Sequence, residues 1–515
     1  MHQFFKAFLT VSFNTTISRI LGFIRDILIA KYIGSTVIAD SFFIAFRLPN
    51  FFRRVLAEGA YSAAFIPIFS GLVNDSKENK KADIFVENTM SILFIFTTFL
   101  TAIFYFNMPL VIQFLAPGFT KNIEAFNLAV HFGKIMFPYI IFISLVSHFV
   151  SVMNVHGKFA AGSISPAILN LSFIFSLIFL TPKLSTAGHA LSYGLLIGGF
   201  FQFFLMYKTI LKIYKPRLIF PKFNFQIKRF FLLFIPGVFG AGVIQLNIII
   251  GTMIASILPI GAISHIYYAD RLNQLPLAIF GIAMGIVLLP SLSKAIKKNN
   301  TEKIHTTQNR SLEFSLLIAL PSAIGLYILS FPIIHILFER GAFVEEDTFY
   351  TAKVLSIFAL GLPAYILTKV LVTCFFARED TKTPLYVSII TVITNVVLSI
   401  LLISTMREMG IALATAISAW INSILLYVFL KIRNHINLDN RFKLALIKII
   451  ISSAIMGIVC YYVNLSLFLD IAQHGGVVNV LALILSILIC NIVYLVMIFV
   501  LKVISIDELK EYIKK

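Results

Sequence analysis

Residues 18–26 read Ser18-Arg19-Ile20-Leu21-Gly22-Phe23-Ile24-Arg25-Asp26, and they lie within a largely apolar run at 5–30. A run of this length crosses the hydrocarbon core of a bilayer as a helix. The two arginines are therefore predicted at membrane depth, where each costs about 2.5–3.5 kcal/mol on the insertion scale if it faces lipid. Six residues at 100° each set them about 120° apart on a straight helix. Both can line one wide cavity, more easily if Gly22 permits a bend.

The rest of the chain repeats the pattern. Further spans are predicted at 38–70, 84–112, 127–153, 160–181, 187–211, 231–257, 263–292, 311–330, 348–376, 383–404, 410–431, 443–464 and 477–502, giving fourteen with the first. The composition agrees: 59% of residues are hydrophobic and only 13% charged, with a mean hydropathy of +0.93. A soluble domain carries about 25% charge, so the apolar excess must face lipid. The net charge of +19 does not point to nucleic acid, because it is concentrated in short segments between apolar runs, as orientation signals are. With the N-terminus in the cytoplasm, the outside loops hold only Lys31, Lys121, Lys183, Arg340 and Arg407. That asymmetry predicts cytoplasmic termini. The N-terminal run is interrupted by Asn14, Thr15, Thr16, Ser18 and Arg19 and lacks a small-residue cleavage site, so it reads as an uncleaved span. Cys374, Cys460 and Cys490 lie in or beside apolar runs with no CxxC spacing, which indicates neither disulfide nor zinc.

Internal repetition organises the spans. Ile33-Gly34 with Ala39-Asp40 recurs as Ile260-Gly261 with Ala269-Asp270, Leu48-Pro49 as Leu275-Pro276, and Pro67 with Ser70 as Pro290 with Ser293. Pro138 near Tyr139 recurs as Pro363 near Tyr365, and Pro166 as Pro384. The order and the nearly constant offset predict an N-lobe at 1–211 and a C-lobe at 231–431, each of six helices entering the membrane the same way. Parallel repeats of this kind hold their substrate between the halves near the midplane. Residues 212–230, basic and containing Pro216 and Pro221, read as a cytoplasmic amphipathic linker carrying a helix on the anionic leaflet. Helices 13 and 14 at 441–503 lie outside the repeat, and 504–515 is a polar cytoplasmic tail.

The basic residues inside spans are where function is expected. Arg47 and Arg54 are seven apart and share a stripe with Asp40; Arg53 adjoins Arg54, with Glu58 one turn on; Arg271 follows Asp270 in the eighth span. Five arginines facing lipid would cost on the order of 12–18 kcal/mol, comparable to a whole domain's stability. They must face water or be paired, and Asp26, Asp40, Glu58 and Asp270 are too few to neutralise them. Arg keeps its proton and meets phosphate in a bidentate fork, so an anionic phosphate-bearing substrate follows. The blander alternative is internal salt bridges or snorkelling at helix ends. It suits Arg47 and Lys134 individually, but it fits the clustered set less well. His148 and His189 could carry protons, although a histidine satisfied inside the bundle is the commoner arrangement. No nucleophile–base set, P-loop or metal-ligand cluster appears in the extramembrane segments, so a transporter rather than an enzyme is expected.

The motif at 18–26 resembles the MurJ/MviN lipid II flippases of the MOP exporter superfamily. So do Ala39-Asp40-Ser41-Phe42-Phe43-Ile44-Ala45-Phe46-Arg47-Leu48-Pro49-Asn50, Arg53-Arg54, Ala57-Glu58-Gly59-Ala60, Tyr267-Tyr268-Ala269-Asp270-Arg271-Leu272 and Asp380-Thr381-Lys382-Thr383-Pro384. The resemblance covers essentially the whole chain. It implies a flippase that moves lipid II, the undecaprenyl-pyrophosphate-linked peptidoglycan precursor, to the outer leaflet of the bacterial cytoplasmic membrane by alternating access. It implies that Arg19, Arg25, Arg53 and Arg271 bind substrate, with Ser18, Asp26, Asp40, Arg54, Glu58 and Asp270 supporting the cavity or its gates. The last two helices would form a groove for the lipid tail. No cofactor is implied; coupling to membrane potential, Na+ or H+ is. Sodium binding in some members involves acids on the seventh and eleventh helices. The seventh span here has no Asp or Glu, though Asp380 stands at the start of the eleventh. A multidrug exporter would want acids rather than arginines. A flippase for another polyprenyl-linked sugar satisfies the arginines equally and is disfavoured only by the motifs, whereas a membrane scaffold has no use for buried arginines.

Overall fold

The structure, a computed structural model, describes residues 2–57, 59–74, 79–468 and 476–503. Among these residues it is helical without strands. Among the described residues, eleven helical stretches are long and apolar enough to cross a membrane. The other three segments predicted as spans, 5–30, 231–257 and 263–292, are helical as well. The chain divides into two compact units. One comprises residues 1–264 with 340–343, and the other 265–339 with 344–515.

The first unit contains α1 (His2–Ile33), α2 (Val37–Phe52), α3 (Ala60–Asn74), α4 (Asn79–Phe106), α5 (Met108–Leu115), α6 (Ile123–Met136), α7 (Tyr139–Val155), α8 (Ala160–Phe175), α9 (Ala187–Ile210) and α10 (Phe225–Ala255). Helix α1 packs on α8, α2 on α6, α7 on α9 and α10 on α3. Helix α10 thus packs within the first unit.

Three local structures differ from the sequence reading. The second span is not one helix: α2 ends in a π turn at Arg53–Ala57, and α3 starts after Gly59, whose φ is +77°. Arg47 and Arg54 consequently do not share a continuous stripe; Arg47 is half-buried and Arg54 exposed. The fourth span breaks between α6 and α7 at Phe137-Pro138. The linker contains no helix of its own, because residues 214–224 have no regular structure. Pro216 and Pro221 offer no backbone N–H. The backbone is instead fastened to α4, where Ile219 N–H donates to Ser91 Oγ (3.0 Å) and Lys222 N–H to Asn88 Oδ1 (2.9 Å).

The second unit contains α11 from His265 (the helix is Ala262–Lys297), α12 (Thr301–Ile328), α13 (Ser330–Phe338), α14 (Glu345–Phe376), α15 (Lys382–Met406), α16 (Glu408–Ile432), α17 (Asn440–Phe468) and α18 (Gly476–Val500). Helix α12 packs against both α14 and α17, and α16 against α14 and α15. The last two helices attach along an apolar seam of Ala445, Ile449, Met456, Cys460, Cys490 and Tyr494. One polar tie completes it, the Tyr494 hydroxyl donating to the Leu317 carbonyl (2.5 Å). Their other faces expose Ile458, Tyr462, Leu481, Leu485 and Val496, as lipid contact requires.

Gly34 closes the turn after α1 with φ +54°, and a Cβ there would stand 2.1 Å from the Ala342 carbonyl oxygen. Ala342 N–H in turn donates to Lys31 O (2.8 Å). Gly59 has a similar φ but open space around its Cβ position. Gly59→Ala should thus cost only backbone strain, about 1 kcal/mol, whereas Gly34→Ala should cost on the order of 2–4 kcal/mol, since carbonyl and backbone must also shift. Thermal unfolding of the two variants in detergent checks the order; equal melting temperatures would contradict it.

Candidate functional site

The quoted motif lies within α1, which runs without a break past Gly22. Gly22 supplies room rather than a bend: a Cβ there would lie 3.3 Å from the Asn170 amide nitrogen of α8. Asn170 is the organising residue. Its Nδ2 donates to the Ser18 carbonyl (2.9 Å), and its Oδ1 accepts from Arg25 Nη1 (2.8 Å). Arg25 Nη2 and Nε both donate to Asp26 Oδ1, at 2.7 and 3.0 Å, and the guanidinium carbon lies 5.6 Å from the centre of the Phe173 ring. Side-chain exposure is 13% for Arg25 and 7% for Asp26, so this is a largely desolvated ion pair with its geometry fixed from three sides. Arg19, about one and two-thirds turns earlier, is exposed. The sequence points to Ser18, Arg19, Arg25 and Asp26 but gives no signal for Asn170, a lone amide in an apolar run 145 residues from Arg25.

At the π turn, Arg53 is half-buried and its Nε donates to Asn50 Oδ1 (3.3 Å). Such turns gather at functional positions in helices. Glu58 lies outside the described residues. Asp40 stands in the first turn of α2. Only 2% exposed, it accepts from Gly261 N–H (2.8 Å), Ser264 N–H (2.9 Å) and the Ser264 hydroxyl (2.5 Å), and so caps the start of α11.

In the second unit, Arg271 is half-buried on α11, its guanidinium 4.6 Å from the centre of the Tyr267 ring. That distance suits a cation–π contact. Asp270 accepts a hydrogen bond from the Gln274 amide. Asp380, in the turn between α14 and α15, accepts from the Thr383 hydroxyl (2.6 Å), Thr383 N–H (3.0 Å) and Arg433 Nη1 (2.6 Å). Partial burial opposes its ionisation, but the Thr383 donors and the Arg433 charge outweigh burial and hold its carboxyl at about 2.

The two histidines considered from sequence are engaged in the bundle. His148, fully buried, shares a 2.6 Å hydrogen bond with the Tyr61 hydroxyl. His189 Nδ1 lies 2.8 Å from Thr186 Oγ1 at the start of α9.

Among the described residues, eleven helical stretches of membrane-crossing length and composition define the class, a multi-pass membrane protein. A solved MATE family transporter of the MOP superfamily, in an inward-facing conformation, superposes with a TM-score of 0.69 over 83% of this chain and 98% of that one, at 14% identity. That likeness concerns the fold alone. A solved structure titled "Lipid II flippase MurJ, inward closed conformation" matches with a TM-score of 0.79 at 30% identity, covering 95% of this chain and 98% of that one. The family described as Lipid II flippase MurJ matches residues 29–503. Among curated relatives, the probable lipid II flippase MurJ of Rhizobium tropici is 40% identical over 465 residues, 89% of this chain and 87% of that protein. The one from Rickettsia prowazekii is 38% identical over 458 residues, 88% and 89% of the two chains. The chain belongs to the lipid II flippase MurJ family.

Two consequences can be measured. Asp40→Asn keeps the side chain's shape but leaves buried donors unmatched. It should lower stability by about 2–3 kcal/mol in thermal unfolding, and an unchanged melting temperature would exclude the capping role. For Asp380, a depressed carboxyl contributes stability that is present above the ordinary value of about 4 and lost as pH falls toward about 2. The melting-temperature advantage of the parent protein over Asp380→Asn should stay constant from pH 7 to about 4.5 and shrink below about 4.

Proposed function

We propose that this protein carries lipid II from the inner to the outer leaflet of the bacterial cytoplasmic membrane by alternating access, supplying cell-wall synthesis. In this reading both termini are cytoplasmic, and fourteen spans form a six-helix N-lobe, a six-helix C-lobe and a terminal pair. The single observation that carries it is the family match over residues 29–503, nearly the whole chain. The site geometry supports it independently of the name. Arg25 is oriented by Asn170 and Asp26 in a desolvated pocket, with Arg19 exposed on the same helix. Fixed guanidinium groups of this kind suit a pyrophosphate.

The substrate's pyrophosphate is gripped by Arg19, Arg25, Arg53 and Arg271, each charge-assisted hydrogen bond being worth about 1.5–3 kcal/mol. Ser18, Asp26, Arg54, Glu58 and Asp270 support the cavity or its gates, and Asp40 fixes a helix start beside a gate. The polyprenyl tail stays in lipid along α17 and α18, whose exposed faces are apolar. Membrane potential or an ion gradient drives the cycle.

The test uses cells depleted of their own flippase. Arg19→Ala, Arg25→Ala and Arg271→Ala should insert normally, yet neither support growth nor expose labelled lipid II on the outer leaflet. Asn170→Ala should retain activity reduced roughly tenfold, the equivalent of one charge-assisted hydrogen bond lost from Arg25. Growth supported by the inserted Arg→Ala variants would refute the roles assigned to these residues. Exposure of another polyprenyl-linked glycan in place of lipid II would refute the substrate.

A further inference from the structure

The second unit contains a titratable cluster that the transport reading does not use. The starts of α11, α14 and α16 meet around His265, which is 4% exposed. Its Nδ1 lies 3.2 Å from Glu408 Oε1, and its Nε2 lies 3.5 Å from Asp347 Oδ1. Its ring stacks on Tyr350, with centroids 5.5 Å apart and planes 20° apart. Glu408 is 0% exposed. The other charged group here is Arg407, whose Nε is 3.4 Å from Glu408 Oε2 and whose guanidinium carbon is 5.0 Å from the centre of the Tyr350 ring. Arg407 adopts φ +52°, a strained setting for a side-chain-bearing residue. Asp347 Oδ2 is already occupied, accepting from Val344 N–H at the cap of α14 (3.1 Å). Glu345 and Glu346 on the same turn are exposed.

The hydrogen-bond inventory decides what occupies this cluster. A neutral imidazole has one donor and one acceptor nitrogen, and an ionised carboxylate only accepts. Here both ring nitrogens face carboxylate oxygens, so a neutral ring would set a lone pair against a carboxylate. The arrangement is satisfied only when the cluster holds one more proton than neutral histidine with two ionised acids. With that proton on the imidazole, two positive charges balance two negative ones. Without it, two carboxylates with a net negative charge share one donor in a buried place, which costs free energy.

We propose that His265, Asp347 and Glu408 form a proton-binding site that ties together the starts of α11, α14 and α16. Binding holds these helix ends together, and release frees them to separate. The sequence's charge asymmetry assigns them to the outer face, so the site samples external pH and supplies a proton-linked step to the cycle. Only that last role rests on the flippase reading; the proton site stands on its own geometry.

The test uses the full-length protein in lipid nanodiscs. Hydrogen exchange at 345–350 and 408–412, corrected for intrinsic chemistry, should accelerate about tenfold as pH rises from 5 to 9. The step should be absent in His265→Gln. Glu408→Gln, which removes one stabilising carboxylate, should move it to lower pH. Independently of any variant, 15N spectra of the parent protein should show one histidine protonated on both nitrogens at low pH that loses a proton across the same range. Exchange without a pH step, or a His265 ring neutral throughout, overturns the proposal. Lipid II transport by the same preparation separates the two readings. A pH step without transport at any pH defeats the flippase reading and leaves the proton site. Transport with pH-independent exchange does the reverse.

Discussion

An arginine buried in an apolar helical bundle keeps its proton, so whatever surrounds it must compensate the charge. Arg25 shows how this chain does so. Its guanidinium takes Asp26 from its own helix, Asn170 from α8 and the ring of Phe173 as neighbours. The arrangement also governs helix packing, because Asn170 simultaneously holds the Ser18 carbonyl and fills the space that Gly22 leaves open. A charge that would be intolerable in lipid becomes the reason α1 and α8 lie together. One amide serves both fold and site, since an arginine held from several directions loses little freedom when it meets an anion.

The same logic recurs wherever a buried polar group joins distant segments. Asp40 accepts from the buried amides at the start of α11. Asn88 and Ser91 catch the backbone of the linker. Each tie is cheap in sequence terms, one residue, and strong in an apolar setting, where the alternative is an unsatisfied polar group.

This explains what could be read from the sequence. Hydropathy and the placement of lysines and arginines follow from the solvent, and they locate membrane-crossing helices such as 187–210 and 382–406 closely. The motif arginines stand out because charge is rare in apolar runs. Partners were harder to foresee. Nothing near Asp40 announces that its acceptors will meet backbone donors 221 and 224 residues away, and composition grouped it with the arginines. Asn170 looked like an ordinary polar residue in a span. His265, Asp347 and Glu408 come from three separate helix starts and share no spacing. The linker is basic and amphipathic, which from sequence favours a helix, but its prolines and the side chains of α4 favour a path without one.

The interruption of the second span carries a further consequence. Pro49 has no N–H for the Ala45 carbonyl, the π turn at Arg53–Ala57 shifts the hydrogen-bond register, and Gly59 ends the run before α3. Peptide carbonyls released in this way cannot be left to acyl chains. They need protein donors or water, so the break marks a stretch of the helix from which lipid is shut out. Arg53 and Arg54 occupy that stretch. The backbone, as much as the guanidinium groups, therefore calls for protein donors or water along this one stretch.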